Sequence, residues 1–273
     1  MTRRLEDIRR RQAVIEDIGE VVGALRAIAA ARAAGAQGAV EAIGAYGDHI
    51  AAAFARLAIR ATAPEQAGPG LTVVVGAAQG FCGGYPARVA AAALGLVPSG
   101  TGLIVIGQRS RAMLEAEGVP PVWSADLPAA PAFVPALASK VTDVLLELGP
   151  RHPGPIAVLS GTDDPGLPVA ARRIWPPPMP QAAPPAGATV PPLTTLEPAA
   201  LIHALLAEML FAELARAIMQ GLQAESRARV EAMARAASNL KTRRQEIERQ
   251  YRQARQEQMT TELLELAAAS GDP

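Results

Sequence analysis

The sequence predicts an α/β fold that carries a long coiled coil, and three observations support this. The chain holds no proline before Pro64, and apolar residues recur there in sevens. The middle alternates short β-rich runs with helical stretches. From Glu197 to Ser270 there is one glycine, Gly221, and no proline beyond Pro198. These textures divide the 273 residues into a coiled-coil helix over 1–62, a central α/β domain with a proline-rich end over 63–192, and a long helix over 193–273 paired with the first.

The first helix follows from its spacing. Ile8, Ile15, Val22 and Ala29 recur every seven residues, and Ile18 and Leu25 follow Ile15 and Val22 by three. That is the a/d pattern of a seam facing another helix. Gly19, Gly23, Gly35, Gly38, Gly44 and Gly47 weaken the intrinsic propensity. Their presence predicts that a second helix comes close.

The texture changes at Pro64 and at Gly68-Pro69-Gly70. Leu71–Val75, Leu103–Ile106 and Ile156–Leu159 are short apolar runs bounded by glycine, the form of buried parallel strands. Helical stretches lie between them at Arg88–Leu96, Ser110–Glu117 and Phe133–Leu148. Alternation of this kind predicts a small Rossmann-like α/β domain. Val169–Trp175 adds an edge strand, ended by Pro176-Pro177-Pro178, and the chain from there to Pro192 reads as extended.

In the last segment Pro198 is tolerated because an amide in the first turn lacks a helical partner anyway. Apolar residues continue at Leu201, Leu205, Leu210, Leu214, Ile218 and Leu222. The spacing then settles to sevens at Met233, Leu240, Ile247 and Ala254, with Val230, Ala237 and Tyr251 on the adjoining row. Ile8, Ile15 and Val22 on one helix and Met233, Leu240 and Ile247 on the other are the expected seam. Glu225/Arg229, Glu231/Arg235 and Glu248/Arg252 are i,i+4 pairs of favourable polarity. At 1.5 Å per residue such a helix spans roughly 110 Å, more than the rest of the chain can cover. It must protrude, pair with the first helix, or both.

Composition narrows the function. Hydrophobic residues make up 50% but aromatics only 3%, so alanine-rich helices in close contact are favoured over a bulky core. Net charge is zero, which speaks against broad nucleic-acid or membrane-surface binding. Only Lys140 and Lys241 are lysines among 26 basic residues. Cys82 stands alone, so no internal disulfide is expected. No run approaches ~20 apolar residues, and the start reads as neither signal peptide nor anchor.

Catalytic chemistry is hard to find. The turn Gly76…Gly80…Gly83-Gly84 follows a strand and precedes a helix, a context that can bind phosphate. It fits neither GxGxxG nor GxxxxGK[ST], and no lysine is near. A tight βα turn is the favoured reading. Cys82 has no nearby histidine to activate it. His49, His152 and His203 show no metal-ligand spacing. Asp163-Asp164 fits turn chemistry. No cofactor, metal or acid/base pair is expected.

Three stretches resemble the gamma subunit family of F-type ATP synthases. They are Leu5-Glu6-Asp7-Ile8-Arg9-Arg10-Arg11 with Ala24–Arg32; Gln79-Gly80-Phe81-Cys82-Gly83-Gly84-Tyr85; and, most specifically, Arg255-Gln256-Glu257-Gln258-Met259-Thr260-Thr261-Glu262-Leu263-Leu264-Glu265-Leu266. Departures mark a divergent branch. Ala77-Ala78 replace a Ser-Asp pair, Pro86 replaces an asparagine, and Ala269-Ser270 stand where the signature closes on glycine-alanine. The early helix with Tyr46 is similar to that of the alternative, N-type rotary ATPases of some bacteria.

The resemblance implies an antiparallel coiled coil acting as the central rotor shaft, with no catalysis of its own. It implies alpha and beta subunits, an epsilon subunit and the membrane c-ring as partners, and a peripheral place on the cytoplasmic face of the inner membrane. Carried over by position, Arg229, Arg255, Gln256, Thr260, Glu262 and Glu265 become the polar contacts to the head. Two rivals remain: a coiled-coil scaffold with an α/β module and no ATPase partner, and an enzyme holding a nucleotide in the middle domain.

Overall fold

The computed structural model describes residues 2–56, 68–98, 100–162, 169–177 and 193–269. The Asp163-Asp164 turn and the proline-rich stretch beyond Pro177 lie outside the described residues. In chain order the elements are α1 (Thr2–Arg56), β1 (Leu71–Val75), α2 (Tyr85–Leu96), β2 (Gly102–Ile106), α3 (Gln108–Ala116), β3 (Trp123–Ala125), α4 (Val134–Leu148), β4 (Ile156–Gly161), β5 (Val169–Trp175) and α5 (Pro198–Ala269). Short 3-10 turns at Pro131–Phe133 and Gly149–Arg151 flank α4. The chain forms two compact units, one from Met1–Ile28 with Val230–Pro273 and one from Ala29–Arg229. Both α1 and α5 contribute to each.

In the first unit α1 and α5 run antiparallel. Arg9 donates to the Tyr251 hydroxyl at 2.9 Å, and Glu16 meets Arg244 at 3.5 Å. Seven residues forward in α1 thus correspond to seven back in α5. The arginine also lies over the Tyr251 ring, 5.5 Å from its centroid, a modest cation–π attraction at an exposed site. Ile8, Val22, Met233 and Ala254 are buried, and Ile15, Leu240 and Ile247 are half-buried. Ile18, which the a/d pattern includes three residues after Ile15, is instead 45% exposed. One partner helix covers a narrow stripe, and Ile18 falls outside it.

In the second unit a five-stranded sheet has the order β3-β2-β1-β4-β5. All pairings are parallel except that of β5 with β4. Every residue of β1 and β2 is buried, which explains their largely apolar sequence. Leu71, Val73 and Val75 pack with α4 and α5, joined by Ala36 of α1. Val74 faces the other way, onto Tyr85, Val89 and Ala93 of α2 and Leu114 of α3. The result is three layers with the sheet in the middle. Helix α4 buries Val134, Ala138, Val141 and Leu145 at helical spacing, each larger side chain contributing about 1.5–3 kcal/mol. A satellite cluster joins Ile50 and Phe54 of α1 to Ala212, Leu205 and Met209 of α5.

Glycine has two different roles in the helices. A Cβ at Gly221 of α5 would lie 2.3 Å from Val75 Cγ1, so α5 crosses β1 at a distance only glycine permits. The α1 glycines do not follow the close-approach expectation. A Cβ at Gly19, Gly23, Gly38 or Gly44 would meet nothing within 4 Å, and at Gly35 and Gly47 it would make only ordinary contact at 4.0 Å. Strand β3 was not anticipated, because Trp-Ser-Ala has no apolar run to reveal it.

Candidate functional site

The glycine turn after β1 is held by α5. Glu225 is 3% exposed, and its carboxylate reaches out of the helix into the turn. It accepts the amide N–H of Ala78 at 3.2 Å and of Gln79 at 3.1 Å. Arg229, one helical turn on, donates to the same carboxylate and, through Nε, to the Gly80 carbonyl at 3.2 Å. Arg229 is 6% exposed. The i,i+4 pair that the spacing identified is thus interior. Burying two charges is tolerated only when their remaining bonding positions are filled, and the backbone of the turn fills them.

The same geometry bears on ligand chemistry. Two consecutive amides converging on a carboxylate form an anion nest, and here the anion is the protein's own. Donors a phosphate would need at 78 and 79 are already engaged. Gly76 has a structural reason: a Cβ there would lie 2.2 Å from Ser110 Oγ, which instead accepts the Ala77 N–H at 3.0 Å. Cys82 donates its thiol to the Gln79 carbonyl at 3.3 Å. Burial, then the Glu225 charge, push that thiol's pKa up, away from the reactive thiolate. Burial likewise raises Tyr85 well above the usual tyrosine range.

Around this anchor runs a collar of polar contacts to α1. Arg32 donates to the Gln79 side chain at 3.4 Å. Gln37 accepts from Gln223 and, at 3.1 Å, from Arg227. Farther along the helix pair, Tyr46 donates to Glu208 at 2.6 Å, and this bond raises the phenol's pKa. Among the described residues no group of three or more His, Cys, Asp or Glu could hold a metal ion. No described helix is long and apolar enough to cross a membrane.

In the other unit, the end of α5 carries the remaining predicted contact residues. Arg255, Gln256, Thr260, Glu262 and Glu265 are all exposed. Thr260 bonds back to the Gln256 carbonyl at 2.9 Å, and Glu262 accepts from Gln258 at 2.7 Å. Sequence reasoning named these polar groups but overlooked their apolar neighbours. Met259, Leu263, Leu264 and Leu266 are each more than half exposed. Clustered exposed apolar side chains mark an interaction surface. Their signal was present in the Leu-Leu-Glu-Leu run, but nothing in it distinguished a seam from a free face. Arg229 does not join this group; it lies in the anchor of the other unit.

The profile of a family described as ATP synthase matches residues 4–148 and 167–271. No curated protein sequence matches significantly. Among solved structures, a chain of the Euglena gracilis mitochondrial ATP synthase OSCP/F1/c-ring assembly, rotational state 3, is similar with TM-score 0.66 and 16% identity, over 99% of this chain and 94% of that one. A chain of the rotor of the same enzyme, rotational state 1, gives 0.63 and 14%, over 95% and 100%. A chain of the Tetrahymena thermophila mitochondrial ATP synthase central stalk/c-ring gives 0.52 and 14%, over 80% and 99%. At these identities the structural likeness speaks to the fold.

Proposed function

The chain belongs to the gamma-subunit family of ATP synthases, a non-catalytic family, and we propose that it is the central rotor shaft of a rotary ATPase. The observation that carries this reading is the match of the family profile over both terminal helices and the α/β domain, together with the pairing of those helices. In this proposal residues 1–62 and 193–273 form the shaft, and residues 63–192 form the domain through which it is driven. Alpha and beta subunits surround the shaft, and the epsilon subunit and the c-ring engage its driven end. The similar chains come from an OSCP/F1/c-ring assembly and from a central stalk with its c-ring, which supports these partners.

Arg255, Gln256, Thr260, Glu262 and Glu265 are the proposed polar contacts to the head, with Met259, Leu263 and Leu264 as apolar ones. Arg229 serves from behind by holding α5 in place. Coupling then rests on differential contact: an asymmetric surface favours a different conformation in each beta subunit according to angle, and only such a difference can shift populations. Ion flow, of protons or of sodium ions, drives the ring from the membrane. The protein is peripheral to that membrane, on its cytoplasmic side.

Co-expression with the alpha, beta and c subunits encoded in the same genome tests the proposal. The chain is expected to purify within a hexameric ATPase. A stable homo-oligomer that ignores alpha and beta subunits would replace this reading with that of a scaffold.

A further inference from the structure

Helix α5 crosses the α/β domain mostly on apolar contacts, from Leu210 to Leu222. Such contacts are non-directional and resist separation better than they resist roll about the helix axis. The bonding changes character over the last two turns of α5 in that unit. Gln223, Glu225, Arg227 and Arg229 all make directional side-chain hydrogen bonds, to Gln37 of α1 or to the backbone at 78, 79 and 80. At Val230, the next residue, the helix passes into the other unit. The polar anchor therefore sits at the end of the stretch of α5 that belongs to that unit.

We infer that Glu225 and Arg229 are a torsional latch: positioning residues that set the roll of α5 against the glycine turn and hand the angle of the α/β domain to the shaft. The inference rests on the shaft reading above and adds where angle is transmitted. Three features support it. The contacts are hydrogen bonds, which weaken steeply with misalignment and so oppose rotation. They are charge-assisted and shielded from water, which makes them stiff. They join side chains of α5 to backbone in a turn that is itself pinned by Ser110 and by the Arg109 amide on the Ala77 carbonyl at 3.0 Å.

The test uses the assembled complex in vesicles, with ATP hydrolysis and ATP-driven ion pumping measured on the same sample. Glu225→Ala removes the carboxylate. Leu222→Ala, one turn earlier and equally buried, removes apolar packing without touching the latch. Hydrogen exchange of the Ala78 and Gln79 amides reports the latch directly, with about tenfold or faster exchange expected in Glu225→Ala. The latch predicts that this variant hydrolyses ATP while pumping collapses, and that Leu222→Ala pumps as the parent does. Where Glu225→Ala does not assemble, Glu225→Gln, which keeps an acceptor but loses the charge, is expected to pump at an intermediate level. Pumping unchanged despite faster amide exchange would overturn the latch and leave the shaft reading standing. Equal loss in Glu225→Ala and Leu222→Ala would overturn it too, since stability alone would then explain both. A parent complex that hydrolyses ATP without pumping would overturn the shaft reading, and the latch with it.

Discussion

Gly221→Ala tests the crossing of α5 over β1. Alanine is favoured over glycine in a helix by about 1 kcal/mol, so propensity alone predicts a more stable protein. The new Cβ, however, would lie 2.3 Å from Val75 Cγ1 and 3.1 Å from Val75 Cβ. Val75 is fully buried at the end of a central strand, and its β-branched side chain has little rotamer freedom. Overpacking of this kind costs about 1–3 kcal/mol, and the absence of slack puts it near the upper end. The net expectation is a loss of about 1–2 kcal/mol. Gly38→Ala is the control, since a Cβ there meets nothing within 4 Å. It should stabilise by up to about 1 kcal/mol.

The same substitution in two helices of one unit should thus act with opposite signs. Both tryptophans, Trp123 and Trp175, pack against the core of that unit, so urea unfolding followed by their fluorescence reads it selectively. Val75→Ala makes room and should cost about 2 kcal/mol alone. In its background Gly221→Ala should turn neutral or stabilising, a coupling energy of about 1–3 kcal/mol. Gly221→Ala behaving like Gly38→Ala would show that α5 does not press on β1 there.

Three further outcomes are expected. Replacing Met233, Leu240 and Ile247 together by alanine should cost several kcal/mol in total, about 2 from buried Met233 and about 1 from each half-buried partner; far-UV circular dichroism should show helix melting earlier while tryptophan fluorescence holds its midpoint, and coincident shifts would mean the seam is misassigned. Charge reversal at Arg255 or Glu262, both exposed, should leave the chain's own unfolding within about 0.5 kcal/mol yet alter turnover of the assembled ATPase; failed assembly with normal helix content would instead give those residues a structural role. Ultraviolet titration should ionise the three tyrosines in the order Tyr251, Tyr46, Tyr85. Tyr251 is lowered by its bond from Arg9, Tyr46 is raised by donating to Glu208, and Tyr85 is raised by burial. The Tyr46 bond stabilises the fold fully below the ordinary tyrosine pKa and fades as pH rises through the shifted one. Arg9→Ala should return Tyr251 to the ordinary range; an unmoved Tyr251 would remove that contact from the coil.

What the sequence disclosed and what it hid separate along physical lines. Periodicity exposed the helices, because a buried stripe imprints its spacing on Ile8, Val22 and Met233. Short, largely apolar runs exposed β1, β2 and β4, which are covered on both faces. Strand β3 escaped because an edge strand of three half-buried residues has no pattern to leave. The α1 glycines misled, since glycine permits close approach without requiring it, and among the described helical glycines only Gly221 is pressed. Glu225 and Arg229 were visible as an i,i+4 pair, but spacing cannot tell a solvated pair from a buried one. That distinction depends on where the backbone of residues 78–80 arrives, which is a long-range fact. The apolar end of α5 was hidden for the related reason that exposure follows from which helix face the partner covers.

The central claim is that this chain turns as a shaft, and rotation tests it most directly. A probe on a cysteine introduced at exposed Glu115 of α3, in a Cys82→Ser background and with the beta subunits fixed to a surface, reports the motion of the α/β domain. Unidirectional rotation that starts with ATP and stops without it is the expected result. An assembled complex that hydrolyses ATP while the probe stays still, or wanders without direction, would contradict the account.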